Sequence, residues 1–197
     1  MKDPGRRREA LAAAGLGPEV FTLSQVHGTR IHRPVEGLDG AEGDGWLSDE
    51  PGRCMGVFVA DCLPLFMWSE SGGSAGVFHA GWRGVADGIA GAAVRAFADL
   101  GCAGKTLAAA VGPHIGACCY EVGPELRERF SGESFRDEAQ THLDLGREVA
   151  AQLVAAGLDP GRISVSGDCT ACGVDKFFSY RRDGKMQRML AWIAVPA

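Results

Sequence analysis

Three apolar runs in this sequence end on residues able to hold a metal or carry out chemistry. "VFTLSQVHG" closes on His27 and Gly28, "GVFVADCLP" on Asp61, Cys62 and Pro64, and "AGVFHAGWRG" on His79 and Gly81. If the three are neighbouring strands pointing the same way, their ends bring His27, Cys62 and His79 to one rim. Two imidazoles and a thiolate suit Zn²⁺, and three protein ligands leave a fourth position for water or substrate, as a catalytic zinc requires. The spacings, 35 and 17 residues, fit no short metal motif. Two other readings stay open. The histidines are hydrogen-bonded core residues beside a buried cysteine, or Cys62 is a nucleophile with His79 as its base.

Other residues invite chemistry with less context. Arg83 precedes Gly84 at a helix entrance, where a guanidinium can hold phosphate or pair with a carboxylate. Cys169-x-x-Cys172 is the sole C-x-x-C, and it lacks the second pair or thioredoxin-like setting that would mark zinc or redox chemistry. Cys118 and Cys119 are adjacent in the Gly- and Pro-containing "VGPHIGACCYEVGP", a turn that packs or walls a site. "FFSYRRDGKMQRM" (177–189) sets aromatics beside Ser179, Tyr180 and Arg181, as a base-stacking wall or as an amphipathic edge.

The elements that must position these residues follow from periodicity and punctuation. A helix is expected over 5–14, closed by Gly15. Extended runs are expected at Val20–Val26, Cys54–Val59, Ala75–Phe78, Leu107–Val111, Arg162–Ser166 and Met189–Val195, with helices near 86–100, 124–130 and 143–156. Gly101 and Gly157 read as helix ends, with Pro160 a stop signal after the second. Strands and helices mix without a regular βα repeat, which predicts α+β. "EGLDGAEGDG" (36–45) reads as a Gly-rich acidic loop, and nothing marks an internal repeat or a linker.

Composition narrows the function classes. The 197 residues are 46% hydrophobic and 23% charged, an ordinary globular balance for one domain. A net charge of −5 and a pI near 5.5 argue against nucleic acid or an anionic membrane as partner. Arg6-Arg7-Arg8 is followed at once by Glu9 and reads as a solvated helix face. The best apolar run, Met55–Trp68, is short for a span and carries Asp61 and Pro64. The amino terminus has charge but no apolar signal region, and seven cysteines without a secreted-scaffold spacing point to a reducing cytoplasm.

Read in order, "QVHGT" (25–29), "GDGWLS" (43–48), "ADCLPL" (60–65), "HAGWRG" (79–84), "VGPHIGACCYEVG" (111–123) and "CTACGVDKFFSYRRDGKMQRM" (169–189) resemble the YfiH family of laccase-domain, polyphenol-oxidase-like proteins. The resemblance runs from about residue 5 to the carboxyl end. It implies a single α+β domain over 1–197, with mixed β-sheets and flanking helices. It also implies one Zn²⁺ per chain on His27, Cys62 and His79, with copper as an adventitious occupant. The implied chemistry is phosphorolysis of adenosine, inosine and methylthioadenosine, with adenosine deamination beside it. Arg83 is then the phosphate contact, and Gln25, Ser179 and Arg181 are substrate contacts. A role in keeping cell-wall precursors free of the wrong amino acid has been attached to bacterial members. Two departures stand out. The family's usual amino-terminal strand segment is not seen in this sequence, and its usual T-G-R reads Met186-Gln187-Arg188.

The laccase label itself fits poorly. A multicopper oxidase fills one mononuclear and one trinuclear copper centre largely with histidines, in H-x-H and H-C-H clusters. This sequence has five histidines, at 27, 32, 79, 114 and 142, and no such cluster. A third class of function is a non-enzymatic binding or assembly module in cell-wall maintenance; a Cys62 variant that loses all activity with no effect on partner binding would argue against it.

Overall fold

From Ala75 to Ala80 the apolar side chains belong to two separate cores, Ala75 and Val77 to one, Phe78 and Ala80 to the other. A strand apolar on both faces must be covered on both, and this demand organises the chain. The computed structural model describes residues 12, 20–102, 104–184 and 187–196. In chain order its strands are β1 (Val20–Phe21), β2 (Ile31–His32), β3 (Gly45–Ser48), β4 (Cys54–Val59), β5 (Leu63–Ser69), β6 (Ala75–Ala80), β7 (Leu107–Val111), β8 (Ile163–Val165) and β9 (Met189–Ala194). The helices are α1 (Trp82–Ala86), α2 (Ile89–Ala98), α3 (Leu145–Ala155) and α4 (Tyr180–Asp183).

A mixed six-stranded sheet runs β2-β3-β6-β5-β7-β8, and a smaller sheet runs β1-β4-β9. Helices α1, α2 and α3 cover one face of the large sheet around Leu65, Phe78, Ile89, Phe97 and Val149. The small sheet covers the other face around Trp46, Met55, Val57 and Val77. This is the expected α+β architecture. Consecutive strands β4 and β5 lie in different sheets, so the chain crosses between them at 60–62. Asp61 makes that corner at φ +79°, a left-handed conformation that costs a non-glycine residue energy.

Several sequence expectations are corrected. The run Val20–Val26 is strand only at Val20–Phe21 and then becomes loop. The helix expected near 86–100 is α2, Ile89–Ala98; Gly88 at φ +86° caps it and separates it from the short α1, Trp82–Ala86, which was not expected. The stretch 124–130 holds a single 3-10 turn, Pro124–Leu126, followed by turn residues 127–129. Pro160 opens a 3-10 turn, while Gly101 and Gly157, at φ +79° and +101°, follow α2 and α3 as expected. The helix expected over 5–14 lies outside the described residues except for Ala12, which is helical, and Met186 lies outside them too. No helix of the described residues is long and apolar enough to cross a membrane.

Candidate active site

His27, Cys62 and His79 each place a ligand atom within 4.8 Å of the others, although the strand-end premise does not hold. His27 sits in the loop after β1 at φ +62°, Cys62 in the crossing between sheets, and His79 inside β6 rather than at its end. The trio converges because the β4–β5 crossing carries Cys62 into the seam that His79 faces. Cys62 Sγ lies 3.8 Å from His27 Nε2, and the two imidazole rings meet edge-on with centroids 4.8 Å apart.

Asp44 holds the trio together, and its sequence setting gave no hint of this. Its side chain is fully buried; Oδ1 accepts from His79 Nδ1 at 2.9 Å and from His27 N at 2.9 Å. Oδ2 accepts from Gly28 N at 2.7 Å and Val26 N at 3.3 Å. The loop 26–28 therefore wraps its N–H groups around one carboxylate, an anion nest built from the left-handed turn at His27. With Nδ1 donating to Asp44, His79 keeps Nε2 free as a ligand, the usual carboxylate–histidine support of a metal site. The donor set fits a metal.

The electrostatics agree. Burial opposes ionisation of Asp44, but the hydrogen bonds from His79 and from the Gly28 and His27 N–H groups hold its carboxyl below the usual range. Burial likewise opposes the Cys62 thiolate, yet hydrogen bonds and charge from His27 and His79 bring it to about 6. His79, against its burial, is raised to about 9 by Asp44 and Cys62. Without a cation the Cys62 thiolate and His79 therefore form an ion pair, and a metal would bind by displacing the His79 proton from Nε2.

Two glycines of "HAGWRG" are steric necessities. A Cβ on Gly81 would stand 2.7 Å from His27 Cδ2 and 3.3 Å from Cys62 Sγ, and one on Gly84 would stand 2.8 Å from Gly28 O. Both let the His27 loop close on β6. Trp82 is half-buried against the helical core, and the Arg83 guanidinium stacks 4.4 Å from the centroid of its ring. Arg83 is exposed and pairs with no carboxylate among the described residues.

A second wall comes from the carboxyl-terminal motif. Asp61 accepts from Thr170 Oγ1 at 2.6 Å and from Arg181 N at 2.7 Å, fastening that motif to the Cys62 corner. The Arg181 guanidinium is exposed, donates to Glu121 O at 3.0 Å and lies 5.4 Å from the centre of the Tyr120 ring. Tyr120 stands among Cys62, Arg181 and Arg83; burial first, then the negative charge of Cys62, outweigh the two arginines and push its phenol up to about 12. Ser179 is buried and caps α4, its Oγ accepting from Arg182 N at 3.2 Å. Gln25 splints the His27 loop to β4, donating to Phe58 O and accepting from Phe58 N, both at 2.8 Å. Asp44 and Tyr120 were not singled out from sequence, and Asp61, named there only as part of a run's end, was given no role.

The sequence matches the family described as multi-copper polyphenol oxidoreductase laccase from residue 5 to 196. The chain belongs to this laccase-like family. Among relatives in it, a purine nucleoside phosphorylase of Deinococcus radiodurans is 36% identical over 198 residues, covering 96% of this chain and 76% of that protein. The purine nucleoside phosphorylase YfiH of Escherichia coli is 32% identical over 195 residues, covering 95% and 78%. The crystal structure of YlmD from Geobacillus stearothermophilus matches with a TM-score of 0.89 at 33% identity, covering 98% of this chain and 80% of that one.

Proposed function

We propose that this chain is a zinc-dependent purine nucleoside enzyme, cleaving adenosine, inosine and methylthioadenosine with phosphate and deaminating adenosine beside that reaction. The observation that carries the reading is the convergence of His27, Cys62 and His79, with Arg181 over Tyr120 on the wall fastened to the Cys62 corner through Asp61. Relatives named purine nucleoside phosphorylase supply the substrate class. His27, Cys62 and His79 are the residues that would hold Zn²⁺, which when bound supplies a Lewis acid with one open position.

The chain's own groups supply the rest. Asp44 fixes the tautomer and orientation of His79 and clamps the loop of His27. The exposed guanidinium of Arg83 offers its fork to phosphate, and that of Arg181 adds a second positive charge beside Tyr120. Tyr120, its phenol pushed up to about 12, keeps its proton at neutral pH and can serve as a donor. In phosphorolysis a phosphate oxygen forms the bond to ribose C1′ while the C1′–N bond to the base breaks. In deamination water adds at C6 of adenine and ammonia leaves.

The family's laccase label is not followed, because five histidines cannot furnish the ligands of several coppers. Three of the five are bound elsewhere: His32 to Glu42 O, His114 to Gly112 O and His142 to Asp137. One observation favours a second reading. Asp44, His79 and Cys62 stand in the order carboxylate, imidazole, thiol, the arrangement of a cysteine hydrolase. Metal content separates the two, since zinc on Cys62 removes the free nucleophile.

The test is turnover by the purified chain of adenosine, inosine and methylthioadenosine against a phenol. Release of free base or inosine supports the reading. Rapid oxidation of the phenol with no nucleoside turnover overturns it.

A further inference from the structure

Four of the seven cysteines form a second cluster, outside the His27–Cys62–His79 trio. Cys118 and Cys119 lie beyond β7, and Cys169-x-x-Cys172 lies beyond β8. Their Sγ atoms all stand within 4.8 Å of one another, with Cys172 Sγ 3.4 Å from that of Cys119 and 3.7 Å from that of Cys118. All four are free thiols. Tetrahedral zinc with Zn–S near 2.3 Å sets its four sulfurs about 3.8 Å apart. Sulfurs grouped this closely need only small side-chain movements to become the corners of such a site.

We infer that Cys118, Cys119, Cys169 and Cys172 bind a structural Zn²⁺ through four thiolates, giving the chain a second metal centre. The backbone is shaped for it. Cys169 Sγ accepts from Gly116 N at 3.3 Å. Gly173 N returns to Cys169 O at 2.9 Å, closing the turn around the C-x-x-C. N–H groups aimed at a sulfur stabilise its thiolate, the form that binds metal. Binding releases the proton of each thiol and leaves Zn²⁺ with four thiolates at a net charge of −2. Two arginines border that charge: Arg181 Nη1 reaches Cys119 O at 3.4 Å, and Arg182 Nη1 reaches Thr170 O at 2.9 Å and Ala171 O at 3.2 Å.

The centre has a structural task. It ties the turn bearing Tyr120 to the loop bearing Thr170, whose hydroxyl is bonded to Asp61 next to Cys62. Four protein ligands leave no open position, so this zinc fixes one wall of the active site and takes no part in the reaction.

The test is metal analysis and cobalt spectroscopy on the full chain. In His27→Ala, which loses a ligand of the other site, about one equivalent of Zn²⁺ is expected to stay bound. Replacing it with Co²⁺ should give the intense sulfur-to-cobalt charge-transfer absorption of a tetrathiolate. A chain with both Cys118→Ser and Cys172→Ser should lose that absorption and one equivalent of metal. If this double variant fails to fold, titration of His27→Ala with an organomercurial should release its zinc in step with thiol modification. The inference is overturned if His27→Ala retains no metal after incubation with zinc. It is equally overturned if two of the four cysteines are recovered as a disulfide in the freshly purified chain.

Discussion

Asp44 Oδ1 stands 2.9 Å from His79 Nδ1, with side chains 0% and 4% exposed. The same carboxylate gathers the N–H groups of Val26, His27 and Gly28, so one buried acid sets the position of two of the three candidate ligands. An uncompensated carboxylate could not be buried there; four hydrogen bonds make it tolerable and make the site rigid.

Asp44→Asn removes the charge and sets an amide N–H₂ against one of the donors. Metal affinity should fall about 10- to 100-fold, as it does when support behind a ligating histidine is lost. Competition against a chromophoric chelator measures it. An unchanged affinity would mean that Asp44 serves the fold and not the centre.

Gly81→Ala tests the close approach of the loop to β6. The new Cβ meets a ring carbon of His27 at 2.7 Å and the Cys62 sulfur at 3.3 Å, so one ligand must move. The variant should fold, because Gly81 has an ordinary extended φ of −72°, yet purify with less than half the metal of the parent at this site. Retention of full metal content, by elemental analysis, would show that the loop shifts freely.

Much of this site was legible because its candidate ligands lie in recognisable motifs: His27 in QVHG, Cys62 in ADC and His79 in HAGWRG. The α+β class followed from the mixture of extended and helical patterns. What was not legible depends on contacts between distant residues. Asp44 sits in an acidic Gly-rich stretch that by itself reads as solvated loop, and only the wrapping of residues 26–28 buries it. Strand β5 was masked by Pro64, a strand-breaking residue tolerated at the second position of β5, where its carbonyl still accepts from Gly112 N. Gly88 was hidden inside a helical pattern that it interrupts at φ +86°. The four-cysteine cluster joins residues more than 50 positions apart, which no local spacing reveals.

Arg83→Lys separates the two proposed reactions. A lysine keeps the charge but cannot reproduce the bidentate fork toward phosphate or the flat stack on Trp82. Phosphorolysis should slow roughly 30- to 1000-fold, on the order of 2–4 kcal/mol in the transition state. Zinc content and much of the water-dependent deamination should survive. Equal losses in both reactions would assign Arg83 to the nucleoside, and unchanged kinetics would return it to the surface.

The most direct measurement follows adenosine through the purified chain with and without phosphate, before and after removal and restoration of zinc. The account predicts free adenine in proportion to phosphate and inosine without it, both abolished by chelation and both recovered on adding Zn²⁺. Undiminished turnover in chelator-stripped protein shown to lack metal, or no adenosine turnover in the zinc-loaded chain, would contradict it.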